Sequence, residues 1–205
     1  MTPLDPMLAK SRTRRQLGRD LLALITVALF PVRAEAGNFD DPPPLYSRAA
    51  QFTLLDPLAP MPSIKLKRLD GRPADLAPVP GKVMLVNFWA SWCPACGTEL
   101  PKLEIVQAAM RDDLVIAAVA LDKGGRDVVA PYLRKRGLDD LNVFLDPEGR
   151  GVKSASEPRG DAAFELYGMP TSYVITRGGL VAGYVSGAVD WDGAPARRLL
   201  DYYRR

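Results

Sequence analysis

The apolar run Val83-Met84-Leu85-Val86-Asn87-Phe88-Trp89, opened by the turn Pro80-Gly81-Lys82, constrains this chain more than any other feature. It is short for a buried helix and lacks the alternation of a half-exposed strand, so it predicts a strand covered on both faces. Leu114 to Leu121 repeats the pattern and ends at Asp122. Between the two, Leu100, Leu103, Val106 and Met110 recur at three- and four-residue steps, predicting a helix with one apolar face, kinked at Pro101. A second helix is expected over Arg126 to Arg136, stopped by Gly137, and a short strand over Val143 to Leu145. Residues 148–160 read as a polar surface loop and Ala162 to Tyr167 as a short helix. Thr171 to Thr176 and Leu180 to Ser186 flank the hairpin signal Arg177-Gly178-Gly179, and a closing helix follows from about Gly193 to Arg205. Upstream, Ile64-Lys65-Leu66 starts a short strand and Asp70-Gly71 marks a turn. Alternating strands and helices with a final hairpin imply one α/β domain with a mixed, mostly parallel central sheet flanked by helices.

The 205 residues include 2 cysteines and no histidine. That excludes a Ser-His-Asp triad, a Cys-His protease pair and a His-ligated zinc or haem. Two cysteines cannot close a four-ligand structural zinc site either, so no metal is expected. The net charge of +3 arises at one end: residues 1–36 hold six basic and three acidic side chains, which leaves 21 of each in the remainder. A neutral body with interspersed charge disfavours a nucleic-acid partner.

Residues 1–36 read as an export signal. A basic region ends at Arg19, an apolar run spans Leu21 to Phe30, and Ala34-Glu35-Ala36 supplies a cleavage pattern. Thr13-Arg14-Arg15-Gln16-Leu17 resembles a twin-arginine motif. The alternatives are an uncleaved anchor facing the periplasm or a surface helix, although the apolar run is short for a bilayer core of about 30 Å. Residues 37–62 are rich in proline and are expected to form an extended lead-in outside the core, with the domain proper over 63–205.

Both cysteines lie in Trp92-Cys93-Pro94-Ala95-Cys96, where a buried strand hands over to a helix. The unbonded N–H groups and dipole of a helix head stabilise a thiolate, which marks Cys93 as an exposed attacking thiol and Cys96 as the resolving one. Pro94 suits a first helical position, where its missing N–H costs nothing. The alternatives are a static staple, which would stabilise little across so short a loop, and a metal half-site shared between chains.

The segment Val86 to Cys96 resembles the active site of thioredoxin-fold proteins. With Glu99, Leu100 and Pro101 it resembles more narrowly the TlpA-like (ResA-like) family of exported thiol–disulfide reductases. The similarity extends from about Gln51 to the C-terminus and includes Leu121-Asp122-Lys123-Gly124-Gly125, Leu145-Asp146-Pro147, Gly168-Met169-Pro170-Thr171 and Gly187-Ala188-Val189-Asp190-Trp191. The resemblance implies a thioredoxin-like domain that needs no cofactor beyond the Cys93–Cys96 pair. It implies a cis Pro170 against the disulfide and a client contact made by Trp92, Pro94, Ala95 and Met169. Glu99 matches the family's acid near the thiols, a candidate proton shuttle for Cys96, with a solvated helix carboxylate as the alternative. Asn87 stands where thioredoxin has a buried acid. Gly97 stands where the family often has a basic residue, which predicts a less positive local field.

The implied partners are disulfide-bearing clients, apocytochromes c or copper-site proteins of respiratory oxidase, and a membrane thiol donor. Within the fold the alternatives are a periplasmic oxidase or isomerase. A non-catalytic binding module is the alternative from another class. A peroxiredoxin is disfavoured by Ala90 three residues before Cys93, and a Sco-type copper chaperone by the lack of histidine.

Overall fold

The computed structural model describes residues 41–46, 50–154 and 163–205, so the leader expected over 1–36 lies outside the described residues. Strand β4 (Val83–Trp89) is buried along its whole length, and the two faces of its pleat enter two different cores. Val83, Leu85 and Trp89 join one cluster with helix α1 (Pro94–Ala109) and helix α3 (Ala194–Tyr203). Met84, Val86 and Phe88 join a second cluster on the opposite face. Period-two alternation therefore serves two apolar layers, which is why the run shows no polar face.

After β4 the chain returns through α1 to β5 (Leu114–Ala120), which pairs in parallel with β4 over seven residues. Helix α2 (Arg126–Arg136) then leads to β6 (Val143–Leu145), parallel to β5. Gly137 ends α2 at φ 64°, the left-handed cap that glycine favours. Strands β9 (Thr171–Ile175) and β10 (Leu180–Ser186) form the expected hairpin, and β9 lies antiparallel to β4. Strands β2 (Ile64–Arg68) and β3 (Pro73–Leu76) pair across the Asp70-Gly71 turn and add to β6. With β1 (Phe52–Pro60), the eight-stranded sheet runs β1-β10-β9-β4-β5-β6-β2-β3. The fold is a single thioredoxin-like α/β domain with a mixed central sheet and helices packed on it.

Two expectations need correction. The segment read as a lead-in outside the core supplies β1, which pairs antiparallel with β10 through a bulge between Leu54 and Ala59. An edge strand tolerates Pro57 and Pro60, which mask the strand in the sequence. Phe52 is buried beside the Tyr203 ring, and Leu45 and Ala50 reach the same core. Secondly, the helix expected over 162–167 is replaced by strand β8 (Phe164–Leu166). It is parallel to β7 (Val152–Ser154), inside the stretch read as loop. Tertiary capture explains it: the Phe164 ring sits 4.7 Å from Tyr173 and 5.3 Å from Phe88, and Tyr173 Oη both accepts from Glu165 N and donates to Glu165 O. Residues 155–162 lie outside the described residues. Helix α1 runs through Pro101, which lies inside it as expected.

Candidate active site

The parallel strands β4 and β5 end side by side, and the sequence uses the space past their carboxyl ends, where ligands gather in sheets of this kind. Leu121 N bonds the carbonyl of Trp89 across the two strand ends. Asp122, buried after β5, then accepts from both the backbone N–H and the hydroxyl of Ser91. The short link between β4 and α1 is thereby fixed just before the cysteines.

Cys93 is the N-cap of α1, in extended conformation, and its Sγ accepts the backbone N–H of Cys96 at 3.1 Å. Pro94 follows in the first turn, as its sequence position suggested. Cys93 and Cys96 are joined as a disulfide. The contrast in exposure is smaller than expected: Cys93 is 5% exposed and Cys96 0%, because both pack in the helix-side core. Trp92 beside them is the outward-facing residue, 67% exposed. Ala95 and Met169 are half-buried against the same cluster, and Met169–Pro170 is cis, with Pro170 buried at the head of β9.

Glu99, one turn after Cys96, is the residue whose surroundings the sequence concealed. It is 2% exposed and so is no solvated carboxylate. Its Oε1 accepts from Val189 N at 3.0 Å and from Trp191 Nε1 at 2.8 Å; its Oε2 accepts from Asn87 Nδ2 at 2.8 Å. Burial outweighs these three donors and pushes the carboxyl up to about 7. Asn87 lies on the same face of β4 as Trp89, and Nδ2 also donates to Ser172 Oγ of β9 at 2.8 Å. Among the described residues its Oδ1 is buried without a hydrogen-bond partner.

The structure also corrects the expectation for Gly97. Arg136, from the last turn of α2, donates through Nη1 to the Gly97 carbonyl at 3.2 Å, so a cation stands at this turn although residue 97 carries none. Asn87, Trp191 and Arg136 are thus parts of the site that the sequence did not assign as such. Asn87 in an otherwise apolar run was the visible signal for the first.

A dithiol/disulfide pair at a helix head, beside a carboxyl that titrates near neutrality, can exchange disulfides and manage the protons that exchange moves. Comparison with known proteins agrees. Residues 57–183 match the AhpC/TSA family. The chain is 27% identical to the thiol-disulfide oxidoreductase ResA of Oceanobacillus iheyensis over 190 residues, 89% of this chain and 87% of that protein. It is 30% identical to the thiol:disulfide interchange protein DsbE of Xylella fastidiosa over 172 residues, 83% of this chain and 76% of that one. The crystal structure of a thiol:disulfide interchange protein of the thioredoxin family from Chlorobium tepidum superposes with a TM-score of 0.54 at 28% identity, covering 70% of this chain and 97% of that one. The chain belongs to the AhpC/TSA family and, within it, to the ResA/TlpA-like thiol–disulfide oxidoreductases.

Proposed function

We propose that this protein is an exported reductase of client disulfides, acting outside the cytoplasm. The observation that carries the exchange chemistry is the capping geometry of Cys93: its sulfur receives a helix-head N–H, the arrangement that favours a thiolate, while the reductase direction rests on resemblance to the family. In the reduced protein the Cys93 thiolate attacks a client disulfide. A bond forms between Cys93 and one client sulfur, the client S–S bond breaks, and the other client sulfur leaves as a thiolate. Cys96 then loses its proton and attacks Cys93 Sγ, closing the intramolecular disulfide and releasing the second client thiolate. Two electrons have passed from the pair to the client. Glu99 is the acceptor for the Cys96 proton in this scheme, its buried carboxyl held near neutrality.

Pro170 and the Met169 main chain, with Trp92, Pro94 and Ala95, form the client contact by resemblance to the family. Apocytochromes c or copper-site proteins are the clients that resemblance suggests, with a membrane thiol donor to restore the pair. Export rests on the leader pattern of residues 1–36. Among the described residues no helix is long and apolar enough to cross a membrane.

The test is trapping. Cys96→Ala should accumulate a mixed disulfide between Cys93 and a client in periplasmic extracts, and Cys93→Ala should not. Insulin reduction by the wild type gives the activity, and titration against glutathione gives the direction. A midpoint near about −270 mV supports the reductase, one near about −120 mV an oxidase. Failure to exchange in any of these assays would leave only a binding module.

A further inference from the structure

Pro101 stands in the middle of α1 and has no N–H, so the carbonyl of Gly97, four residues back, lacks the partner that a helix would give it. The donor is supplied from elsewhere in the fold. Arg136 Nη1, on α2, reaches that carbonyl at 3.2 Å. The absence of a side chain at Gly97 admits it: a Cβ there would stand 2.8 Å from Tyr132 Oη and 3.0 Å from Arg136 Nη2. The guanidinium is further held over the Tyr132 ring, 4.6 Å from its centroid, and that ring packs 5.6 Å from Trp89 at the end of β4. A missing donor, a missing side chain and an aromatic platform thus hold one cation in one place.

That place is next to the chemistry. Gly97 follows Cys96, and its own N–H donates to the Cys93 carbonyl at 3.2 Å, so the guanidinium docks on the turn that bears both sulfurs. We propose that Arg136 is a positioning residue of the thiol pair, whose charge, docked on the Gly97 carbonyl, favours the Cys93 thiolate and with it the reduced state. The disulfide has no ionisable sulfur, so a cation acts on the reduced form alone. Its removal raises the thiol pKa and lowers the reduction potential. The inference rests on the thiol-exchange reading for its biological meaning.

Of the other titratable groups around the site, Tyr132 Oη reaches Gly97 directly, and two more lie close by in the fold. Glu99 lies on α1 itself, engaged by Val189, Trp191 and Asn87; Tyr132 comes from α2; Asp122 acts from the end of β5 through Ser91. None of these is a cation, so Arg136 supplies the positive charge among them. Arg136 is exposed on its outer side, so water and salt screen it.

Three variants separate charge from packing. Arg136→Lys keeps the charge, Arg136→Gln keeps a donor without charge, and Arg136→Met keeps neither. In the Cys96→Ala background, the pH profile of iodoacetamide alkylation reads Cys93 directly. Arg136→Gln and Arg136→Met should cut the thiolate fraction about three- to tenfold at pH below the pKa, with Arg136→Lys close to the parent. The gap should narrow in 0.5 M salt. In the two-cysteine protein, equilibrium with glutathione should move toward the disulfide in the same order. Arg136→Gln matching the parent in both readouts, or Arg136→Met alone departing, overturns the proposal, because either result assigns the residue to packing. Alkylation needs no client, so it decides this inference whether or not insulin is reduced, and insulin reduction decides the reductase reading.

Discussion

Glu99→Gln should flatten part of the pH dependence of stability, and the sign is fixed by the direction in which burial moves the carboxyl. Glu99 titrates at about 7 in the folded protein against 4.5 for an ordinary glutamate. Between those values the native state holds a proton that the unfolded state has released, so stability falls as pH rises. The contribution is fully present below about pH 4.5 and lost as pH climbs through 7. At about 1.4 kcal/mol per pH unit, the loss is of the order of 3 kcal/mol. Glutamine cannot ionise, so its stability lacks this slope. The variant also fits the site: its carbonyl oxygen can accept from Val189 N and Trp191 Nε1. Its amide group then faces Asn87, whose amide can turn so that Oδ1, otherwise without a partner, accepts from it. Urea unfolding of both oxidised proteins at pH 4.5 and pH 8 is the measurement, since the disulfide removes the thiols from the titration. The stability of the variant relative to wild type should rise by about 3 kcal/mol between the two pH values, about 1.5 M in urea midpoint for a slope near 2 kcal/mol/M. Groups common to both proteins cancel in that difference. A change under about 1 kcal/mol, or of opposite sign, would refute the claim that desolvation outweighs the three donors.

Trp191→Phe removes one of the donors to Glu99 Oε1 and should raise the carboxyl further, by about one pH unit if a hydrogen bond to a charged group is worth about 1.5 kcal/mol. A carbon-13 titration of the glutamate carboxyls checks it, and an unmoved midpoint assigns Trp191 to packing alone. Gly183→Ala should detach β1 from β10, because its Cβ would lie 2.3 Å from the Thr53 carbonyl oxygen and 2.5 Å from the Phe52 ring. We expect a loss of at least about 2 kcal/mol in urea, and an unchanged midpoint would show that the β1 edge yields without cost. Leu103→Ala, at a position with 0% exposure in the α1 core, should cost about 2–5 kcal/mol without changing the slope of the urea curve.

The sequence spoke most clearly where a single local rule decided the structure. Val83–Trp89 and Leu114–Ala120 had to be strands buried on both faces, and Gly137 had to close α2. The Cys93 cap was legible because a helix start needs an acceptor and the sulfur was at hand. What stayed hidden depended on partners far along the chain. Phe164–Leu166 has the composition of a helical turn, and Tyr173 and Phe88 make it a strand. Phe52–Pro60 carries prolines that only an edge strand tolerates, and its pairing with β10 could not be seen from its own residues. The burial of Glu99 is owed to Val189 and Trp191, some ninety residues later, and to Asn87 before it. Arg136 is the sharpest instance: neither the proline that frees a carbonyl nor the glycine that opens a path names the helix from which the cation comes.

The three tryptophans are divided in a way that gives the protein an intrinsic optical readout. Trp89 and Trp191 are sealed at 0% exposure, while Trp92, adjacent to the disulfide, is 67% exposed. Iodide should therefore quench the emission of one indole and spare the other two. The exposed fluorophore borders a disulfide, which accepts an electron from an excited indole more readily than two separate thiols do. Reduction should brighten the red-shifted, iodide-accessible component, so the redox state can be followed by emission without a label.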